Sequence, residues 1–189
     1  DVYMTTQLDG TETRFLPFNQ GSNGAGNIGD GGNPENPDGY ATSYLWEKVL
    51  CREGMLSLLQ RYISKVTEKV PYLDKATKKI LTKESTYIIF PRYHQLDVVE
   101  KLVADTKAAK EGRNFLIQHS AGSGKSNSIA WLTYRLASLH NDEDEAIFKS
   151  VLVVTDRRNL NEQLQDTVLG FDHKDSLVKT IGKNDASCD

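Results

Sequence analysis

Residues 114–126 read NFLIQHSAGSGKS. An apolar segment leads into a loop of small residues, and Gly124, Lys125 and Ser126 open a segment whose apolar residues have helical spacing. This order of strand, glycine-rich loop and helix is typical of a phosphate-binding P-loop. Gly-x-Gly-Lys followed by Ser or Thr arises by chance on the order of once in a hundred chains of this length. The stretch therefore predicts a nucleotide-binding domain.

Each residue type in this loop has a chemical reason to be there. Gly122 and Gly124 let backbone N–H groups close around a phosphate without Cβ clashes, and the helix start adds unpaired N–H groups. Lys125 supplies a charge for the β- and γ-phosphates, and the Ser126 hydroxyl offers a ligand to Mg²⁺. We therefore predict ATP and Mg²⁺ as cofactors, Lys125 and Ser126 as the catalytic pair, and a phosphate site made of His119, Ser120, Ala121, Gly122, Ser123, Gly124, Lys125 and Ser126.

His119 departs from the general P-loop pattern, which opens with Gly or Ala at this position. Its imidazole either reaches a phosphate or closes the end of the preceding strand. The residues alone leave both interpretations open.

The segment FPRYHQ at residues 90–95 precedes the P-loop. In helicase-like motors a planar side chain with a glutamine close behind binds adenine ahead of the P-loop. We predict that Arg92 stacks on the base and that Gln95 reads its N6 and N7 edge. The alternative is an ordinary helix start after Pro91.

A second apolar run ends in Thr155-Asp156-Arg157-Arg158. Asp156 is either a Mg²⁺-binding acid of the Walker B kind or the N-cap of the next helix, and the two arginines favour the cap. A helix start carrying two guanidinium groups suits a nucleic-acid phosphate, so we predict Arg157 and Arg158 as DNA-binding residues. A solvated arginine pair is the alternative.

Apolar strands alternate with helical segments from residue 93 onward. Such alternation is typical of an α/β fold with a parallel sheet covered on both faces. The predicted strands are 114–118, 151–155 and 177–181, and the predicted helices are 93–109, 125–139 and 157–168.

The N-terminal half reads differently. Residues 2–8 and 11–18 alternate around Asp9-Gly10 and predict a β-hairpin, and residues 19–39 carry half of the 14 glycines and predict a mobile loop. Helical spacing predicts a helix from about 43 to 65. The lysine cluster at residues 75–83 is either a solvated connector or a contact to DNA phosphates.

Composition limits the function classes. A net charge of −3 excludes a domain that binds nucleic acid through its bulk charge, so any DNA contact must be local. Cys51 and Cys188 form no metal or disulfide spacing, which favours a reduced, cytoplasmic protein. No apolar run reaches the roughly 20 residues of a membrane helix. The opening residues lack an initiator Met and a signal-peptide pattern, which predicts an internal fragment.

Six blocks of the chain resemble the R subunit of type I restriction enzymes. They are FLPFNQG at 15–21, GAGN at 24–27, YATSYLWE at 40–47, IFPRYHQLD at 89–97, NFLIQHSAGSGKSNSIAWL at 114–132 and VVTDRRNL at 153–160. The HSAGSGKS form is that family's own P-loop, which accounts for His119.

The resemblance implies an ATP-driven translocase of double-stranded DNA with two RecA-like motor lobes, which follow a nuclease domain of the PD-(D/E)xK type. It implies partners as well, namely the modification and specificity subunits of the complex. The expected domains are a nuclease tail over 1–40, a helical connector over 41–85 and the first part of motor lobe 1 over 86–189. The family's Walker B acid and second lobe are expected downstream, so we expect the chain alone to be inactive.

Two other classes remain open from the residues. A compact P-loop kinase or NTPase would use Asp156 as its metal acid but gives no reason for residues 1–85. A nucleotide-binding interaction module without catalysis is the other.

Overall fold

The computed structural model describes residues 1–75, 77–109, 112–155, 158–170 and 179. Two short turns, a 3₁₀ turn at Gly10–Glu12 and a π-helical turn at Leu45–Val49, lie among the regular elements. In chain order these elements are β1 (Tyr3–Met4), β2 (Leu16–Pro17), α1 (Arg52–Arg61), β3 (Ser64–Leu73), β4 (Ile80–Ile89), α2 (Tyr93–Ala108), α3 (Lys125–Ala137) and α4 (Arg158–Gly170). Within these ranges no helix is long and apolar enough to cross a membrane.

The sheets differ from the sequence prediction. The described residues form a mixed α/β structure with two separate two-stranded antiparallel sheets, β1–β2 and β3–β4, and no parallel sheet. Residues 114–118 and 151–155, predicted as strands, form neither helix nor strand and have no strand partner in the described chain. A parallel strand is buried on both faces, whereas Leu116 is 96% and Val154 80% exposed. The third predicted strand, 177–181, lies outside the described residues except for Lys179. Cys188 also lies outside them.

The N-terminal hairpin is confirmed in its pairing and wrong in its length. β1 pairs with β2 antiparallel, with Tyr3 opposite Pro17, but each strand has two residues. The predicted Asp9-Gly10 turn is replaced by a longer loop in which Thr13 accepts a hydrogen bond from the Asp9 N–H at 2.8 Å. Local side-chain bonds of this kind compete with the strand ladder.

The helix predicted from 43 to 65 is interrupted and ends early. The π-helical turn stops at Val49, Cys51 adopts an extended conformation as the N-cap of α1, and α1 ends at Arg61. A Cβ at Gly54 would lie 2.3 Å from the Lys48 carbonyl oxygen, so the sharp join between turn and helix requires glycine there. Cys51 is unpaired in the described part of the chain.

The connector predicted over residues 41–85 is therefore helical only in its first half. For residues 64–85 the prediction of a helical connector is wrong. β3 and β4 form a ribbon of paired residues from Ser64↔Ile89 to Leu73↔Ile80. The stretch TYII at 86–89 is β-branched and aromatic, and Thr67 and Thr86 join their hydroxyls across the strands at 2.9 Å. The predicted lysine cluster lies around the tip of this ribbon.

The core joins the end of α1 to α2 and α3. Trp131 and Tyr62 are 1% and 0% exposed, and the Trp131 indole N–H donates to the Tyr62 carbonyl at 3.0 Å. The Tyr62 hydroxyl donates to Glu100 on α2 at 2.6 Å, and Arg135 on α3 pairs with the same carboxylate at 3.4 Å. Burial, and then the hydrogen bond to Glu100, raise the pKa of Tyr62 well above its usual range, so the phenol remains a donor.

An aromatic cluster attaches the N-terminal segment to the start of α2. Phe18, Tyr44 and Tyr93 are buried, with ring centroids 5.6 Å apart for Phe18–Tyr93 and 5.0 Å apart for Tyr44–Tyr93. The Tyr44 hydroxyl donates to the Phe18 carbonyl, and burial raises the pKa of Tyr44 to about 12. This cluster places β2 beside the residues that precede the P-loop.

Residues 19–39 contain no helix or strand, as the glycine content predicts. Their backbone closes on itself through Gly21 N–H to Gly32 at 2.8 Å and Ser22 N–H to Asp30 at 2.9 Å. Lys101 on α2 donates to the Ala25 carbonyl at 3.2 Å. The mobility of this loop remains a prediction.

Candidate nucleotide-binding site

The loop before α3 adopts a conformation that requires its glycines. Gly122 and Gly124 have φ of +72° and +78°, in the left-handed region that side chains disfavour. A Cβ at Gly124 would also displace the Gln95 amide, which donates to the Gly124 carbonyl. Open space surrounds Gly122, so its restriction is conformational alone.

Unpaired backbone donors gather where the loop enters α3. The N–H groups of Gly122, Gly124, Lys125 and Ser126 have no hydrogen-bond partner in the described structure. The N-terminus of a helix carries partial positive charge, and its free N–H groups are an established means of binding phosphate. The donors that the sequence predicts for a phosphate site are therefore present together.

The Lys125 ammonium lies over the loop itself. Its Nζ donates to the Ser120 carbonyl at 2.8 Å and to the His119 carbonyl at 3.4 Å. These acceptors are neutral, and no carboxylate pairs with Lys125 in the described chain. Phosphate oxygens offer this ammonium stronger, charge-assisted hydrogen bonds than the two carbonyls do.

Gln95 reaches the P-loop from the first turn of α2. Its Oε1 accepts the Arg92 N–H at 2.8 Å, and its Nε2 donates to the carbonyls of Ser123 at 3.2 Å and Gly124 at 2.8 Å. Gln95 is 3% exposed, and both amide hydrogens are used. Reading the adenine edge, as the sequence predicts, would require this amide to leave the loop carbonyls. Adenine recognition by Gln95 therefore remains a prediction.

Two histidines flank the same loop. His94 places Nε2 at 2.9 Å from the Ser123 carbonyl, and its ring meets that of His119 edge-on with centroids 5.0 Å apart. Burial, then His94 and Lys125, lower the pKa of His119, so its imidazole is neutral at neutral pH. Sequence reasoning missed His94, although its position beside Gln95 was the available signal.

Two buried polar atoms of the site lack hydrogen-bond partners that a phosphate ligand could provide. Oγ of Ser123 and Nδ1 of His119 are buried without a partner in the described structure. Buried polar atoms normally have partners, and a bound phosphate would supply them. The donor set therefore fits the triphosphate of ATP.

A magnesium site is less complete. Ser126 is half-buried at the start of α3 and offers one hydroxyl, and Mg²⁺ is commonly held by few protein groups together with substrate phosphates. The described residues contain no cluster of three or more His, Cys, Asp or Glu side chains suited to a metal. Asp156 and Arg157 lie outside the described residues, and Arg158 is described in its backbone alone.

A cavity of about 550 Å³ opens beside the P-loop. Arg92, Gln95, Gly124 and Asn127 line one side of it. The structure therefore brings the predicted base-binding residues Arg92 and Gln95 to the edge of the predicted phosphate site.

The double contact of Gln95 leads to a test of its role. We expect Gln95→Ala to weaken the binding of ATP and of inorganic tripolyphosphate together, by about 5- to 100-fold, because the loop loses its support. Isothermal titration with both ligands measures this. Gln95→Glu is the matched variant, since it keeps the bond to the Arg92 N–H and loses the donors.

The alternative for Gln95 predicts a different pattern. If Gln95 reads the base, Gln95→Ala weakens ATP binding, leaves tripolyphosphate binding unchanged and erodes the preference for ATP over GTP. That pattern would contradict the loop-supporting role.

Comparison with known families identifies one match. A family model described as SWI2/SNF2 ATPase matches residues 94–185, a region that begins in α2 and contains the whole P-loop. The match supports a helicase-like ATPase and is consistent with binding of ATP and a metal ion. It does not single out a type I restriction subunit, and nuclease activity has no support from it. No curated protein and no solved structure matches the chain.

Proposed function

We propose that the chain is part of the ATP-dependent DNA translocase and endonuclease subunit of a type I restriction–modification system, with ATP bound at the P-loop. The observation that carries the nucleotide site is the set of unpaired N–H groups of Gly122, Gly124, Lys125 and Ser126 beside the Lys125 ammonium. The finer assignment is supported by the family-like blocks from residues 15–21 to 153–160.

The residues of the site divide the work of binding. The N–H groups at the start of α3 hold phosphate oxygens, and Lys125 exchanges the Ser120 carbonyl for the β- and γ-phosphates. Gln95 and His94 contact the Ser123 carbonyl and thereby support the loop. Bound ATP would supply the phosphoryl group that is transferred to water, and the Ser126 hydroxyl would bind Mg²⁺.

The motor lobe of this proposal is RecA-like. The apolar segments 115–117 and 152–154 alternate along the chain with α2, α3 and α4, and this order supports the proposal. The domains we propose are a nuclease tail over 1–40, a connector over 41–85 and motor lobe 1 over 86–189.

The proposed partners are double-stranded DNA and the modification and specificity subunits of a cytoplasmic complex. The proposed DNA contacts are Arg158, the first residue of α4, and Arg157, which precedes it in the sequence. Two guanidinium groups at a helix start suit backbone phosphates, which fix position without reading sequence.

Phosphate release with and without duplex DNA tests this function. We expect the 189-residue chain to bind ATP, to release phosphate no faster than its Lys125→Ala variant and to cut no DNA. Arginine groups of a second lobe alone account for about 10³ to 10⁵ in rate in such motors. The complete subunit should hydrolyse ATP when duplex DNA is present.

Other outcomes favour other functions. Rapid turnover by the chain without DNA would support a compact NTPase with Asp156 as its metal acid. ATP binding by a complete protein that never hydrolyses it, with or without DNA, would support an interaction module.

A further inference from the structure

The cavity beside the P-loop has a second wall that the predicted nucleotide site does not include. Residues of β1, β2 and the loop between them form that wall, among them Asp9, Glu12 and Arg14. The aromatic cluster of Phe18, Tyr44 and Tyr93 holds this segment against the start of α2. The cluster therefore anchors the segment that carries this wall, while Asp9, Glu12 and Arg14 themselves are exposed.

The cavity continues from the phosphate-binding loop. Gly124 carries one of the unpaired N–H groups and also lines the cavity, as does Asn127 in the first turn of α3. A ligand whose phosphates occupy the loop would extend into this space. Its volume of about 550 Å³ lies within the range of small-molecule sites, which is roughly 300 to 1,000 Å³.

The charges of the two walls orient the ligand. On the loop side the cavity is lined by Gly124, whose N–H is unpaired and which Lys125 follows in the chain, whereas the N-terminal wall carries the carboxylates of Asp9 and Glu12, which repel phosphate. Neither Arg14 nor Arg92 forms an ion pair with any described residue, and both line the cavity. A purine suits such a mixed wall, because its ring stacks on a guanidinium plane and its edge carries both donors and acceptors.

We propose that the N-terminal segment 4–16 forms one wall of the nucleotide base site and that Arg14 is a base-contacting residue on it. The triphosphate lies in the P-loop, and the purine lies between the N-terminal segment and the Arg92–Gln95 side. This proposal rests on the proposed nucleotide-binding function. Its consequence is that nucleotide binding also depends on the segment that precedes the motor region.

Comparing the affinities for ATP and for inorganic tripolyphosphate distinguishes contacts to the base from contacts to the phosphates. We expect Arg14→Ala to weaken ATP binding about 3- to 30-fold and to leave tripolyphosphate binding unchanged, because the lost contact is to the base. Arg14→Lys keeps the charge without the planar group and should lose most of the same affinity. Arg52→Ala is the matched control, since Arg52 is exposed on α1 and does not line the cavity.

Each other outcome identifies which idea fails. Equal ATP affinity in Arg14→Ala and wild type would overturn the base wall and leave the P-loop assignment intact. An equal loss of ATP and tripolyphosphate would also overturn it, because Arg14 would then act on phosphate or on the fold. A wild-type chain that binds neither ligand would contradict the proposed function itself.

Discussion

Lys125→Ala should abolish measurable ATP binding. In the structure Nζ donates to the carbonyls of Ser120 and His119, and Lys125 is the one basic residue within the segment 122–126. Charge-assisted hydrogen bonds contribute about 1.5–3 kcal/mol each, so losing contacts to two phosphates costs roughly 10²- to 10⁴-fold in affinity. Isothermal titration with ATP and tripolyphosphate should show the same loss for both.

The stability of the fold should not change with this substitution. The Lys125 side chain is exposed and its bonds are to loop carbonyls, so the unfolding midpoint should stay near that of wild type. Lys149→Ala is the matched control, because Lys149 is exposed and lies outside the site. ATP affinity equal to wild type in Lys125→Ala would remove the P-loop assignment and every step built on it.

The parts of the fold that were predictable are those that local sequence decides. α2 and α3 begin within a residue of their predicted starts, since Pro91 and Gly124 mark helix entries through backbone chemistry. The β3–β4 ribbon was not predicted, because its charged residues interrupt the alternation and its strands are stabilised chiefly by each other. The predicted parallel sheet depends on pairing between distant segments, which no local pattern determines.

In the site, too, the features decided by local sequence were predictable and those that depend on packing were not. The glycines at 122 and 124 made the loop predictable, because a positive φ is a local requirement that glycine meets best. The contacts of Gln95 and His94 to the Ser123 carbonyl depend on how α2 packs against the start of α3. The sequence placed Gln95 near the nucleotide for its base-reading chemistry, whereas in the structure its amide is bonded to the loop.

Trp131→Ala should destabilise the chain by about 3–5 kcal/mol, which is much of the 5–15 kcal/mol that typically holds a domain together. Trp131 is 1% exposed, so the substitution leaves a cavity between α3 and the end of α1. It also removes the donor to the Tyr62 carbonyl, and a buried acceptor left without a partner costs about 1–3 kcal/mol. Urea unfolding followed by circular dichroism measures the change.

The second tryptophan of the chain provides the control. Trp46 lies in the π-helical turn at 51% exposure, so Trp46→Ala should shift stability by about 0.5 kcal/mol or less. Trp131→Phe keeps a six-membered ring and loses the indole N–H, so its loss of stability should lie between those of Trp131→Ala and Trp46→Ala. Because α3 carries Lys125 and Ser126 at its start, Trp131→Ala should also lose ATP binding at urea concentrations where wild type still binds. Equal unfolding midpoints for Trp131→Ala and Trp46→Ala would show that the core does not centre on this side chain and that α3 is held in place by other contacts.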